Sequence, residues 1–303
     1  MKLVKSFAKT AVLFAAILLI QSCSKAKKET GGTVYSGKPE YEEAAKQVKG
    51  KFRVGMECAY APFNWTQSGT TIKADGWQAV PIYGTPDYAF GYDIMFSKMI
   101  ADEMGLELEV HKVQWSSIVL GLKSGDYDAI IAGMIYTKDR DKTLDFTRAY
   151  YNRDNVMVIK KGSALASATT LADFKGCKAT TQINTAWSAY VEEIPDVKII
   201  PYPETTAEVV MQVAMGAAEC AVLDYPTGYS ATLSNPDVSI VRFAPGKGFV
   251  TPPNCSEAVS VAVDEGNAVL KDAIEKAMDA IGWDQAKMDK YMDLAITTQP
   301  LSE

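Results

Sequence analysis

The chain has 303 residues, of which 48% are hydrophobic, and its formal net charge at pH 7 is −6. The first thirty residues hold six lysines and one glutamate, so the rest of the chain carries a net charge of −11. An acidic body excludes nucleic acid as an expected partner, because nucleic-acid binding depends on basic patches, and it favours long-range attraction of cationic ligands.

The N-terminal segment has the features of a secretory signal. Three lysines precede the apolar stretch 11–20, whose ten residues are too few to span a bilayer, since a spanning helix needs about 20. The next residues, QSC, resemble the lipobox of bacterial lipoproteins, although Gln21 replaces the usual small residue. The resemblance implies a signal peptide at 1–22 and a lipid on Cys23. The alternative is an ordinary cleaved signal.

The segment that follows is polar and basic, contains glycine and shows no periodicity. We therefore expect a flexible tether at 23–49. A chain that begins at Cys23 would have 281 of the 303 residues, which suits two domains of ordinary size or one large domain.

From residue 50 onward, short β-rich runs alternate with helical patterns, which is typical of α/β architecture. The predicted strands are 52–56, 106–113, 128–134, 178–182, 197–202 and 220–224. The predicted helices are 92–105, 116–125, 185–193 and 205–216. LKSGDYDAIIAG and VAMGAAECAVLD match each other, each with a helix end, a glycine, a turn that ends in an acid, and an apolar strand. The sequence thus predicts two similar lobes with mostly parallel sheets, and such sheets bind ligands beyond the carboxyl ends of their strands.

Several motifs in order resemble family 3 of the bacterial extracellular solute-binding proteins, the polar amino acid class that feeds ABC importers. They are FRVGMECAYAPFNW, GYDIMFSKMIADEMG, VQWSSIVLGLKSGDYDAIIAGM, TKDRDKTLDFTRAYY, TLADFKGCKATTQ and AVLDYP. The resemblance covers roughly residues 50–295. It implies an α/β fold of the two-lobe "Venus flytrap" type, with helices flanking each sheet.

The resemblance also implies a hinge of two crossing strands. We expect the crossings near 150–156 and 248–257. The first lobe would then comprise 50–152 plus 257–303, and the second lobe 153–256.

The implied function is capture of a free amino acid in the cleft between the lobes and its delivery to the permease and ATPase of an ABC transporter. We expect a monomer without a metal or a cofactor. It would be extracytoplasmic, in the periplasm or at the cell surface, and held to a bacterial membrane by the lipid on Cys23. One alternative is a dehydratase-like enzyme on the same scaffold, with Glu57 as its acid or base. A ligand-sensing module is disfavoured because no membrane helix precedes the end at Glu303.

GMIYTKDR, at 133–140, places an arginine where a helix is predicted to begin. A cation there opposes the helix dipole, an effect of about 0.3–1 kcal/mol. The resemblance implies that Arg140 forms a bidentate salt bridge with the α-carboxylate of the ligand, which a guanidinium fork and free helix N–H groups both suit. The alternative is a surface ion pair with Asp141 or Asp145.

The resemblance assigns further groups to the two ends of the amino acid. Asp224, which ends the strand CAVLD, would accept the α-ammonium, and the alternative is that it caps the next helix. The further positions expected around the carboxylate are Gly133, Ile135, Gln182, Asn184, Thr185 and Ala186. Asn184 and Ala186 depart from a turn that usually contains glycine. Ile135 replaces a usual Ser or Thr, so only its backbone N–H could contribute.

Three residues are expected to surround the ligand side chain. Glu57 follows the first strand, and Tyr60 and Tyr92 match aromatic walls in the family. A carboxylate with two rings suits a flat or cationic group through stacking and cation–π attraction. We expect arginine or lysine first, and glutamine or histidine second. The alternative is that both tyrosines are ordinary lobe residues.

Two features carry open expectations. The long segment 66–91 has no counterpart in shorter relatives, and a hairpin beside the cleft that contacts ligand or transporter is one reading. Four cysteines remain after Cys23, and the expected strand order permits the disulfides Cys177–Cys220 and Cys58–Cys255. The alternative is that all four are buried free thiols.

Overall fold

The structure, a computed structural model, describes residues 35–74 and 76–300. The predicted signal peptide, Cys23 and the first part of the predicted tether lie outside the described residues. Within the two described ranges, no helix combines the length and the apolar character that crossing a membrane requires.

The described residues form short strands and helices in alternation. The strands are β1 (Lys51–Met56), β2 (Ala59–Tyr60), β3 (Asn64–Gln67), β4 (Val80–Pro81), β5 (Tyr88–Phe90), β6 (Glu107–Lys112), β7 (Ala129–Ile130), β8 (Ile135–Thr137), β9 (Leu144–Asn152), β10 (Asn155–Lys160), β11 (Lys178–Thr180), β12 (Lys198–Ile199), β13 (Cys220–Asp224), β14 (Val238–Val241) and β15 (Cys255–Asp264). The helices are α1 (Glu42–Gln47), α2 (Tyr92–Glu103), α3 (Ile118–Ser124), α4 (Trp187–Val191), α5 (Thr206–Ala214), α6 (Tyr225–Ser234), α7 (Ala268–Ala280) and α8 (Gln285–Thr298).

Two main sheets divide the strands between two lobes. The first sheet has the order β6-β1-β7-β15-β8, with β9 beside β15, and β1 runs parallel to both of its neighbours. The second sheet has the order β12-β11-β13-β10-β14, with β11 parallel to β12 and β13. Helices α2, α7 and α8 contact the first lobe, and α4, α5 and α6 contact the second sheet. The predicted two-lobe α/β fold is confirmed.

The chain crosses between the two sheets twice. The first crossing lies between β9 and β10, and the second lies between β14 and β15. The two crossings lie side by side, because the backbone N–H of Arg153 donates to the carbonyl of Glu257 at 3.2 Å. The predicted crossings at 150–156 and 248–257 overlap these two connections.

Local sequence explains several of these elements. All five residues of β13 are buried, as a continuous apolar run in a central strand predicts. Thr205 and Glu208 form the predicted capping box at the start of α5, with each side chain bonded to the backbone N–H of the other. Helix α2 ends before Gly105, whose φ of +67° suits glycine.

The predicted helix after GMIYTKDR is wrong. Arg140–Lys142 is only a three-residue 3-10 turn. Strands β8 and β9 both pair with β15, so the connection between Thr137 and Leu144 is too short for an α-helix. The argument from a helix dipole therefore does not apply to Arg140.

The predicted tether extends too far. Helix α1 lies within 23–49, and Tyr41 and Ala44 are buried in the core. Apolar residues at 41, 44, 45 and 48 have the spacing of one helix face, so the sequence contained this signal.

The segment 66–91 forms a hairpin in a small sheet of order β2-β3-β5-β4. The ring of Trp77 packs against Phe90 and against Tyr291 of α8, with centroids 6.1 and 5.9 Å away. The hairpin is thus anchored to the first lobe.

The four described cysteines are free thiols, so the structure contradicts both disulfides that the sequence permitted. Strands β11 and β13 are parallel neighbours as expected, but the register opposes Cys220 to Ala179 and not to Cys177. The thiols of Cys177 and Cys220 are therefore diagonal neighbours. Cys255 lies opposite Thr137 in its sheet and not beside Cys58.

Candidate functional site

A cavity lies between the lobes, where residues that follow the strands of both sheets meet. The space it encloses is about 10 Å³, roughly that of one water molecule, so the two lobes lie close together around it. Its lining consists of Glu57, Tyr60, Trp115, Ala132, Gly133, Ile135, Arg140, Arg153, Gln182, Thr185, Ala186 and Trp187. None of the described residues of the 66–91 hairpin contributes to this lining.

The structure brings most of the predicted site residues together. Eight of them line the cavity: Glu57, Tyr60, Gly133, Ile135, Arg140, Gln182, Thr185 and Ala186. Asp224 lies directly behind the wall, in contact with Tyr60 and Arg153. Tyr92 does not line the cavity: it packs edge-on against Phe63, and its hydroxyl donates to the carbonyl of Tyr150. A second aromatic ring of the lining belongs to Trp187, which packs edge-on against Tyr60 with ring centroids 6.2 Å apart.

Arg140 faces the cavity without an acidic partner among the described residues. Its guanidinium donates to the carbonyls of Ile135 at 2.8 Å and Asn184 at 3.3 Å, and it lies 5.3 Å from the ring centroid of Trp115. Burial, together with the nearby Arg153, lowers the pKa of Arg140 to about 10.

The alternative ion pairs of Arg140 are wrong. Asp141 accepts a hydrogen bond from the hydroxyl of Tyr136 at 3.1 Å. Asp145 accepts one from the backbone N–H of Gly266 at 2.8 Å. The half-buried cation is therefore held by carbonyl dipoles and an aromatic face, which leaves its charge uncompensated in the described structure.

Asp224 caps a helix and also forms part of the site. Its carboxylate accepts bonds from the N–H of Thr227 at 2.9 Å and the hydroxyl of Thr227 at 3.1 Å, so the capping alternative is correct. It also accepts from the hydroxyl of Tyr60 at 2.5 Å, across the lobes, and lies 3.7 Å from Nη1 of Arg153. The carboxylate is completely buried.

Glu57 is a second buried acid and faces the cavity. It is 5% exposed, and its carboxylate accepts from Nε2 of Gln182 at 2.7 Å. Burial raises the pKa of Glu57 to about 8, with Glu204 and Asp93 adding to the effect and Gln182 opposing it. The carboxyl group of Glu57 is thus mostly protonated at neutral pH.

Gly133 supports the wall formed by Tyr60. Its φ is +60°, and a Cβ atom at this position would lie 2.4 Å from Cε1 of Tyr60, so only glycine fits. Its N–H donates to the hydroxyl of Tyr150 at 3.0 Å, which in turn donates to the buried Asp93 at 2.7 Å. Burial raises the pKa of Asp93 to about 7.

Sequence reasoning missed Arg153, Trp115 and Trp187. Arg153 lies in the first crossing, and its guanidinium is 4.8 Å from the ring centroid of Trp187. Burial lowers the pKa of Arg153, but Tyr60, Asp224 and Glu257 more than compensate and raise it. A charged residue inside a predicted hinge crossing was the available signal, because both crossings pass beside the cleft.

The lobes also contact each other directly around the cavity. Besides the Tyr60–Asp224 and Gln182–Glu57 bonds, Nε1 of Trp115 donates to the carbonyl of Asn184 at 3.2 Å. The N–H of Ser116 donates to Glu204 at 2.8 Å. The lining contains neither a histidine nor a cysteine. Two guanidinium groups, an acid, an amide and aromatic rings are suited to holding a small charged molecule.

Comparisons with known proteins agree with this geometry. Residues 81–293 match the family described as bacterial extracellular solute-binding proteins, family 3. The chain is 24% identical to the arginine-binding extracellular protein ArtP of Bacillus subtilis, over 86% of this chain and 90% of that protein. It is 27% identical to the L-arginine-binding protein of Pseudomonas aeruginosa, over 80% of this chain and 88% of that one. The structure of AbpA from Streptococcus pneumoniae, an amino acid ABC transporter substrate-binding protein bound to L-arginine, is similar with a TM-score of 0.67 and 23% identity, over 84% of this chain and 98% of that one.

Proposed function

The chain belongs to the bacterial extracellular solute-binding proteins of family 3, and from this premise we propose that it captures a free polar amino acid in the interlobe cavity. It then delivers the amino acid to the permease and ATPase of an ABC importer. The observation that carries the proposal is Arg140, a guanidinium that lines the cavity and has no acidic partner among the described residues. The α-carboxylate of an amino acid supplies the missing anion, because its two oxygens match the guanidinium fork.

The rest of the lining supports the same ligand class. Gln182 offers an amide that already bonds Glu57 across the lobes, and Ile135 contributes backbone groups beside Arg140. Trp187 and Tyr60 provide an aromatic wall for the remainder of the ligand. The relatives named above, which bind arginine, support an amino acid over a sugar or a metal ion.

The organisation and location of the protein are part of the proposal. The lobes are 50–152 plus 257–303 and 153–256, in keeping with the strands that each sheet contains. The protein acts as a monomer outside the cytoplasm, after export by the signal at 1–22 and attachment through a lipid on Cys23. The experiment for the anchor is metabolic labelling with a fatty acid, and loss of label in Cys23→Ala is the expected result.

A thermal-shift screen against the twenty common amino acids tests the main proposal. A ligand at 100 times its Kd raises the free energy of unfolding by about 2.7 kcal/mol, which shifts the melting temperature measurably. Residues 24–303 supply a form without the lipid attachment site. A protein that no amino acid stabilises would contradict the proposal.

A dehydratase-like enzyme is the second candidate, and Glu57 is the observation that favours it. A cavity carboxyl group with a pKa of about 8 has the protonation behaviour of a general acid. NMR spectra of the bound ligand over a day decide between the two. An unchanged ligand supports the binding protein, and product formation that Glu57→Gln abolishes supports the enzyme.

A further inference from the structure

We infer that Arg153 is a second anion-binding group of the cavity, and that the preferred ligand is a dicarboxylic amino acid. The inference rests on the proposed function and narrows its ligand. It differs from the sequence-based expectation of a cationic side chain, which was reached without Arg153.

The first observation is the position of Arg153. The side chain lines the cavity and is 8% exposed as a residue, because the hinge backbone and the ring of Trp187 enclose it. Its Nε has no hydrogen-bond partner in the described structure, and Nη1 reaches the hydroxyl of Tyr60 at only 3.3 Å. Buried guanidinium N–H groups are normally satisfied, so this one has unused capacity for an acceptor.

The second observation is the state of Asp224. This carboxylate already accepts bonds from Tyr60 and Thr227 and lies 3.7 Å from Arg153. It is fully buried and does not belong to the cavity lining. A ligand ammonium group therefore meets Arg153 and Tyr60 before it could reach Asp224. The acid that does face the cavity is Glu57.

The groups around Arg153 favour a ligand with a second carboxylate over a cationic ligand. Arg140 and Arg153 supply two positive charges at the cavity, and Asp224 and the half-buried Glu257 attract Arg153 from outside the lining. Glu57 adds a negative charge only when it is ionised, a form that burial disfavours and the hydrogen bond from Gln182 favours. A second ligand carboxylate would supply the acceptor that Nε of Arg153 lacks, whereas arginine or lysine would add a cation beside two guanidinium groups.

The acidic body of the protein does not reverse this preference. Its charges are mostly exposed, and salt screens such charges beyond about 8–10 Å. Long-range charge changes association rates more than affinity, which the short contacts in the cavity determine. In the resulting arrangement, one ligand carboxylate lies at Arg140, the second lies at Arg153, and the ammonium group lies toward Glu57.

Calorimetry at pH 7 with L-glutamate, L-aspartate, their amides L-glutamine and L-asparagine, and L-arginine tests the inference. We expect one of the acids to bind at least about tenfold more tightly than its amide and than arginine. Arg153→Gln should weaken binding of that acid by at least about tenfold and change binding of the amide by less than about threefold. Arg153→Lys keeps the positive charge without the guanidinium fork, so its affinity for the acid should lie between those of the wild type and Arg153→Gln.

The matched control is Arg242→Gln. Arg242 is an exposed arginine near the same hinge that pairs with Asp154 and does not line the cavity. Its loss should change neither the affinity for the acid nor the affinity for the amide. If Arg153→Gln fails to fold, the wild-type acid-to-amide ratio and Arg153→Lys still decide the question. Tighter binding of arginine or an amide than of either acid overturns the inference and leaves the proposed function intact. Binding of no amino acid overturns the proposed function.

Discussion

Arg140 and Arg153 share one cavity but have opposite surroundings. Arg140 lies on a turn of the first lobe, where carbonyls hold it and burial lowers its pKa to about 10. Arg153 lies in the hinge beside Asp224 and Tyr60, which raise its pKa despite burial. An unpaired guanidinium needs an anion from the ligand, whereas a paired one can discriminate between ligands. We therefore expect Arg140 to contribute to the affinity for every amino acid and Arg153 to the selectivity between amino acids.

Removal of Arg140 should have the largest effect. Arg140→Ala should weaken binding of every amino acid by about 2–5 kcal/mol, because the ligand carboxylate loses its charged partner inside the cavity. Calorimetry gives the affinity, and circular dichroism confirms the fold. Lys142→Ala is the control, since this cation lies in the same turn but is exposed and pairs with Asp139. If the affinity of Arg140→Ala stays within threefold of the wild-type affinity, Arg140 is not the partner of the ligand carboxylate.

Gly133→Ala tests the part of the cavity wall that Tyr60 forms. The new Cβ would overlap the ring of Tyr60 in a backbone conformation that favours glycine. We expect a loss of about 2–3 kcal/mol in the free energy of unfolding, with weaker ligand binding. Gly125→Ala is matched, because Gly125 has φ of +76° but no atom within 4 Å of its Cβ position. Equal losses in urea titrations of both variants would show that contact with Tyr60 is unimportant.

Glu57 determines the charge that the two arginines face, and it should make stability depend on pH. Its folded pKa of about 8 exceeds the unfolded value of 4.5, so the folded state binds more protons between these values. Stabilisation from this group is complete below pH 4.5 and is lost as the pH rises through 8. The expected slope is about 1.4 kcal/mol per pH unit.

Urea titrations of the wild type and Glu57→Gln between pH 4.5 and 8 measure this slope, and the variant should lose the part that Glu57 contributes. Gln182, Glu204 and Asp93 also face the group. Asp93 has a raised pKa of about 7 and the same sign of effect, so Asp93→Asn is the companion variant. An unchanged slope in Glu57→Gln would place the titrating group elsewhere.

Tyr60→Phe should have the smallest effect on stability, and it tests the role of Arg153 in ligand discrimination. It removes the hydroxyl that donates to Asp224 from the opposite lobe, at a cost of about 1 kcal/mol in the free energy of unfolding. Asp224 then depends more on Arg153, so the acid-to-amide binding ratio should fall. Tyr92→Phe removes a comparable buried hydroxyl bond within the first lobe and should leave the ratio unchanged. If Tyr92→Phe lowers the acid-to-amide binding ratio and Tyr60→Phe does not, the first lobe is responsible for discrimination between acid and amide.

Sequence reasoning succeeded where local pattern and strand order suffice. The capping box of Thr205 and Glu208, the apolar run of β13 and the parallel pairing of β11 with β13 all follow from short stretches. Residues at strand ends, such as Glu57 and Gln182, meet because parallel sheets align those ends.

Other features depend on packing that a sequence does not display. Tyr92 was expected at the cavity, but Phe63 lies between its ring and Tyr60. Cys177 and Cys220 are free thiols on neighbouring strands, offset by two residues in a register that strand order alone does not specify. Arg153 gains its partners from β2 and β13, which are distant in the chain, so its role emerges only in three dimensions.

The hydrogen bonds between protein groups of the two lobes have a consequence for recognition by a transporter. Tyr60 with Asp224, Gln182 with Glu57 and Trp115 with Asn184 lower the free energy of the closed form whether or not the cavity is filled. A ligand that finds the closed form already populated loses less affinity to the closing step. The same bonds make the empty and loaded proteins more alike in shape. A transporter that recognises the closed form would then interact more often with unliganded protein. Tight ligand binding and discrimination between the liganded and unliganded protein therefore place opposite requirements on these few contacts.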